Sequence, residues 1–318
     1  MNAAKHFDKW IEGLASESTV ADAARNSLQH RVQAVLEYLP LAAKHSHENV
    51  EYVHLLRVWT RRSMAAINLY KKVLPKRPLR RLRRKLERIR HVAGEARDLD
   101  VLIEQLMPQE SEESKALADR VRRRRKKAQQ PIHRCFHRMH KRKRLEKLLK
   151  TLLQSVSVNA DSVQPFTNWT KAAMASVVDR FNQAYPNDQN DLQAMHRFRI
   201  RVKNLRYAME LLAPALPAEL KDSVYPRIEE LQELLGGIND RAVALSRLSK
   251  WLSKCPRKID RSELTKKLSQ EREQLIEAQK CFYGWWTLDV QSQIRDSLIR
   301  LTITNPSSVL ELQSIEST

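Results

Sequence analysis

Two stretches of the chain place a histidine and two further cations at the spacing His-x-x-Arg-x-x-x-[Arg/Lys]. The first reads VHLLRVWTRR and supplies His54, Arg57 and Arg61; the second reads MHRFRIRVKNLRY and supplies His196, Arg199 and Lys203. On a helix, each set of three falls within about 60° of arc, and Arg206 continues the second row. Cations in one stripe repel one another unless an anion lies among them. Arginine offers a planar fork of donors to phosphate oxygens, lysine a point charge, and histidine a donor that gains charge near neutral pH. The chemistry these residues favour is binding of phosphates in a row. A lone histidine is ordinarily a satisfied, half-buried side chain, but these two each begin a cationic stripe. Arg62, adjoining Arg61, is a further candidate.

A third set is His133, His137, His140 and Arg144, which share about 60° of arc if their helix is unbroken. Histidines at i and i+4 are also a metal-ligand spacing. Between positions 120 and 147, however, 14 residues are basic and one, Glu146, is acidic. Ligating histidines must be deprotonated, and a divalent cation would meet a strongly positive field there. The row therefore reads as phosphate-binding, and the sequence offers no metal site. It also has no phosphate-cradling G-x-x-x-x-G-K-[ST] loop and no G-x-S-x-G turn. The stripes lack the carboxylates that would hold magnesium for phosphoanhydride chemistry. No catalytic residues, no cofactor and no enzyme activity are expected. Asp98 and Asp240 are expected to neutralise and orient neighbouring cations.

The elements that carry these groups are helices. Glycine occurs five times in 318 residues, too rarely for the turns of an all-β protein, and helix-forming residues dominate. Apolar spacing and breakers predict helices over 20–39, 47–74, 79–107 and 112–154, the last interrupted near Pro131. A second group is predicted over 166–184, 190–213, 219–252 and 261–298. One constant offset of 142 residues relates the two groups. It carries His54 onto His196, Arg57 onto Arg199, Leu74-Pro75 onto Leu216-Pro217, Gly94 onto Gly236 and Asp98 onto Asp240. The expected architecture is all-α, two duplicated four-helix bundles with eight main helices. The expected boundaries are an N-terminal extension over 1–19, halves over 20–155 and 165–300, and a C-terminal tail over 301–318, frayed after Asn305. A polar linker runs from Ser155 to Gln164. The aromatic cluster Phe282, Tyr283, Trp285 and Trp286, with Tyr207, reads as packing.

Lys and Arg number 58 against 37 Asp and Glu, a net charge of +21. The surplus is lopsided, at +19 for residues 1–159 and +2 for 160–318. Such a field meets a polyanion. Two runs feed it, Arg80 to Arg90 and Arg120 to Lys147. Within the second, Arg123 and Arg125 are expected to be exposed steering charges. No 18-residue apolar run spans a membrane, and Met1 to Val20 lacks a signal-peptide pattern. Cys135, Cys255 and Cys281 read as reduced core thiols of a cytoplasmic protein. No sequence signature sets an oligomeric state. Nucleic acid is the alternative partner, since its phosphates would be drawn to the same cations. Against it, the stripes lack interleaved aromatics for stacking on bases and no groove-entering motif is present.

The paired elements resemble the CHAD (conserved histidine α-helical) domain family. The resemblance rests on VHLLRVWTRR with GEARDLDV and on MHRFRIRVKNLRY with LQELLGGINDRAV, and extends over about residues 20–290. It implies two four-helix bundles around a basic central channel that holds inorganic polyphosphate. It also implies association with polyphosphate granules. Carried over by position, His54, Arg57, Arg61, His196, Arg199, Lys203 and Arg206 would line that channel. Met64 departs from the pattern, because its counterpart is Arg206. The triphosphatase domain to which some members are fused, with its E-x-E-x-K motif, is absent from this sequence.

Overall fold

A computed structural model describes residues 7–15, 17–106, 112–156, 160–186, 188, 191–253 and 258–302. Among these no strand forms; the one extended contact is an isolated bridge between Thr19 and Pro165. The helices are α1 (Val20–Lys44), α2 (Glu51–Leu69), α3 (Lys76–Leu106), α4 (Glu112–His140), α5 (Arg144–Gln154) and α6 (Ala160–Val163). They continue as α7 (Phe166–Asn182), α8 (Leu192–Leu212), α9 (Tyr225–Leu252), α10 (Lys258–Trp285) and α11 (Leu288–Arg300). A 3-10 turn, Ala213–Ala215, and a π turn, Leu220–Val224, lie between α8 and α9.

Proline does not stop helices where the sequence suggests. α1 runs through Pro40 for a further turn, because Ala42 and Ala43 beyond it are fully buried. α4 runs through Pro131, contrary to the expected interruption there. Ile132 is buried beside the proline, and Gln129 Nε2 donates to the α1 carbonyls of Ala42 and Ala43 at 2.7 and 2.9 Å. Those carbonyls belong to the last turn of α1, where acceptors lack partners within the helix. The actual break is at 141–143, where Arg142 and Lys143 take left-handed φ values of 73° and 48°. α10 and α11, expected as one helix, part at Thr287, whose hydroxyl accepts from Val290 N at 3.3 Å as an N-cap.

The chain forms two compact units. The first takes its residues from 1–9, 20–163 and 243–272, and the second from 10–19, 164–242 and 273–318. In the first unit α1 packs on α2, α2 on α3 and α3 on α4. Its core includes Leu28, Leu56, Ile67, Leu82, Leu86 and Ile89, all buried. In the second, α7 packs on α8, and Phe181, Phe198, Phe282 and Trp286 form a ring-on-ring core with Tyr185. Cys135 is a buried thiol as expected, but Cys281 is exposed, because Phe282 beside it takes the inward position. Cys255 and the tail beyond residue 302 lie outside the described residues.

Candidate functional site

α2 buries Val53, Leu56, Trp59, Thr60, Ser63, Met64 and Ile67. On ideal geometry that face is centred about 110° from the His54/Arg57/Arg61 stripe. The stripe therefore stands at the margin of the core rather than opposite it, and all three side chains are half-buried. The Arg57 guanidinium reaches α3 at Gly94, where its Nη1 lies 3.0 Å from the position a Cβ would occupy. Only a glycine leaves that space open.

The surroundings of Arg57 are unfavourable to a cation. Burial first, and then Arg61, Arg90 and Arg97, draw its pKa down to about 10, against the opposing pull of Asp98. It stays charged at neutral pH, but in a place that disfavours charge. Asp98 is shared: its carboxylate meets Arg247 Nη2 at 2.9 Å, and its carbonyl accepts from Arg247 Nη1 at 2.9 Å. His54 sits a turn away, with Nε2 3.8 Å from Glu51. Burial, followed by Arg97, Arg61 and Arg57, lowers its pKa below the ordinary value.

The second unit arranges its stripe on α8. Asp191 caps that helix, accepting from the amides of Gln193 and Ala194 at 2.8 Å each, and these bonds hold its carboxyl below the usual range. Asn239 Oδ1 lies 2.8 Å from His196 Nδ1, while Asn239 Nδ2 donates to Asp240 at 3.2 Å. The second bond orients the amide with Oδ1 toward the His196 ring, where it can accept from Nδ1–H. Asp240 also lies 3.6 Å from Arg199 Nη2, and Lys203 is half-buried one turn on. The role expected of Asp240 and Asp98, to neutralise and orient cations, fits both contacts.

Arg206 is turned inward. Its Nη1 donates to Glu229 at 2.8 Å, and its guanidinium lies near the rings of Tyr207 and Tyr225. Tyr225 in turn donates to the buried Glu210 at 2.9 Å; burial and that carboxylate raise the phenol's pKa. The counterpart Met64 is buried in the first unit.

Other candidates lie apart from these groups. Arg62 stacks over Trp59, 4.9 Å from its ring centroid. His137 and His140 flank the Phe136 ring, with centroids at 5.3 and 5.1 Å, and Lys44 lies over the same ring. His133 is half-buried on the same helix. Arg144 does not share their row, because the break at 141–143 starts a new helix at that residue. Arg125 is not an exposed steering charge. It is half-buried against the buried Asp100, Nε to Oδ1 2.5 Å, so it belongs to the packing of α4 on α3. Arg122 pairs with Asp119 and Arg124 with Glu95, whereas Arg123 is exposed. Among the described residues no three His, Cys, Asp or Glu side chains gather as a metal site.

The CHAD domain model matches residues 20–249. The chain belongs to the CHAD domain family. That family is linked to polyphosphate. Among solved structures, the fold is similar to the crystal structure of the CHAD domain from the plant Ricinus communis. The TM-score is 0.69 at 21% identity, covering 93% of this chain and 97% of that one. PptA from Streptomyces chartreusis is also similar, at a TM-score of 0.63 and 16% identity over 85% of this chain and 99% of that one. No curated protein matches the chain in sequence. Sequence reasoning about this CHAD chain missed Asn239 and Glu51 as partners of the histidines and Arg247 as the partner of Asp98. The 142-residue offset pairs Asn239 with Arg97 and so pointed to the first of these, whereas no sequence signal marked Arg247.

Proposed function

We propose that this chain is a non-enzymatic receptor for inorganic polyphosphate, held in the cytoplasm on polyphosphate granules by that binding. One observation carries the reading: Arg57 is half-buried among Arg61, Arg90 and Arg97, with Asp98 as the opposing charge. A row of phosphates would relieve that repulsion through charge-assisted hydrogen bonds. His54 and Arg61 complete the first contact set. His196, Arg199 and Lys203 form its duplicated counterpart, and Arg206 anchors the end of that row through Glu229. Arg62, His133, His137 and His140 are outlying donors to the same polymer, and the positive first half draws it in by long-range attraction. Two linked contact sets favour a polymer over a short anion, since the second contact becomes intramolecular.

The test is competition at physiological salt between long-chain polyphosphate and single- or double-stranded nucleic acid for the labelled protein. Polyphosphate should displace both nucleic acids, and its affinity should fall steeply with salt as counterions are released. Displacement of polyphosphate by nucleic acid at equal phosphate concentration would overturn the reading.

A further inference from the structure

The first unit carries a second concentration of charge, remote from the α2 stripe. Thirteen residues of α3 separate Arg81 from Gly94, about 20 Å of helix. Around Arg81 opens a cleft of about 640 Å³ between the start of α3 and the start of α5. Arg77, Arg81 and Lys85 line it from α3. Arg142, Arg144 and Lys147 line it from the other side, where the left-handed turn at Arg142 and Lys143 leads into α5. Pro78 and Leu148 add an apolar wall.

These six cations differ from their neighbours. On α3 itself Arg83 pairs with Glu87, and on the neighbouring α4 Arg122 pairs with Asp119 and Arg124 with Glu95. The cleft is lined by no carboxylate, and among the described residues none of its six cations forms an ion pair. Like charges gathered around one concavity repel, and low-dielectric walls concentrate their field on whatever enters. The volume falls within the range of about 300–1,000 Å³ typical of small-molecule sites. We propose that this cleft binds a compact anion of at least three linked phosphates, either a nucleoside triphosphate or inorganic tripolyphosphate, one per chain. Arginine forks and lysine points match the oxygens of such a group from two sides. The apolar wall gives a nucleobase somewhere to lie.

Calorimetric titration of the full chain with ATP and with tripolyphosphate, at physiological salt, tests this. Each ligand that binds should saturate at one per chain. The variant R81E/K147E should weaken that binding at least tenfold. R80E/R84E makes the same charge change on exposed residues of α3 outside the cleft and should alter it less than threefold, as should R57A/R61A. Tighter binding of ATP assigns the site to a nucleotide, and equal or tighter binding of tripolyphosphate assigns it to the inorganic anion. Thermal unfolding of each variant checks the fold, and the milder R81A/K147A pair replaces the reversal if that fails to fold. Equal losses in R81E/K147E and R80E/R84E would reduce the effect to diffuse attraction and overturn the proposal. So would a loss confined to R57A/R61A, which would place triphosphate in the α2 stripe, or the absence of saturable binding by either ligand.

Discussion

Arg57 Nη1 rests 3.0 Å from the point where Gly94 would carry a Cβ, whereas the equivalent position on Gly236 has nothing within 4 Å. The two glycines match in sequence but differ in what they permit. Gly94 admits the guanidinium of a neighbouring helix; Gly236 is a glycine in a helix with open space beside it.

Gly94→Ala should therefore leave the fold intact and damage binding. Alanine is favoured over glycine inside a helix by about 0.5–1 kcal/mol, and the atom it meets is the end of a flexible side chain. Displacing Arg57 without removing its charge should weaken polyphosphate binding by roughly three- to tenfold, about the net strength of one ordinary hydrogen bond. Gly236→Ala should gain similar stability with no change in binding. Thermal unfolding and equilibrium binding on the two variants check this. Equal affinities in both would remove Arg57 from the site.

Binding should tighten as pH falls. Burial, then Arg97, Arg61 and Arg57, lower the His54 pKa from its ordinary value of 6.5, so the free ring is largely neutral at pH 7. A polyanion among these cations raises it, so the complex takes up protons that the free protein does not. Affinity then rises as pH falls through the bound-state pKa and levels off once the free protein is protonated too. In the free protein the lowered pKa works against folding in acid: stability is lost as pH falls below the unfolded value. His54→Gln should flatten part of the affinity profile between pH 5 and 8. An unchanged profile in that variant would mean that His54 is not the titrating group.

Asp98→Asn should change affinity and stability in opposite directions. The carboxylate opposes the repulsion on Arg57 and also holds Arg247. Both groups are partly exposed, so losing the ion pair should destabilise the fold by only about 0.5–1 kcal/mol. Removing the competing negative charge should strengthen polyphosphate binding severalfold. A drop in affinity with no loss of stability would mean that Asp98 orients the ligand rather than balancing the cations.

Much of this was legible in the sequence because it depended on local period or on repetition. The 3.6-residue period located α2 and α8, and the offset of 142 found both histidine stripes and their Asp98 and Asp240 partners. Pairings across distant helices left no local trace. Arg125 and Asp100 are 25 residues apart, and Arg206 and Glu229 are 23. In a run of six consecutive cations from Arg122 to Lys127, composition does not distinguish the one that faces a buried carboxylate. The break after His140 was hidden for another reason: Lys141 to Arg144 contains neither glycine nor proline, and two non-glycine residues take the left-handed turn. Prolines 40 and 131 misled in the opposite sense, because packing on either side outweighed one lost hydrogen bond.

Two arginines two positions apart on α4 differ in their surroundings. Arg123 is exposed, while Arg125 lies 2.5 Å from Asp100, with side-chain exposures of 11% and 4%. Arg125→Ala leaves a carboxyl buried without its cation, which should cost about 3 kcal/mol and lower the melting temperature markedly. Burial already raises the Asp100 pKa despite Arg125, and removing the arginine should raise it further. A folded-state pKa above the unfolded one favours folding below it and loses that contribution as pH rises. The defect should therefore be larger at pH 8 than at pH 5. Arg123→Glu should leave the melting temperature within about 0.5 kcal/mol of the parent in equivalent stability. Its effect should fall on the association rate with polyphosphate and on the salt slope, as for a steering charge. Thermal unfolding at both pH values, with stopped-flow binding, resolves the pair. If Arg123→Glu raises the dissociation rate instead, that side chain touches the polymer, and the ligand extends onto α4.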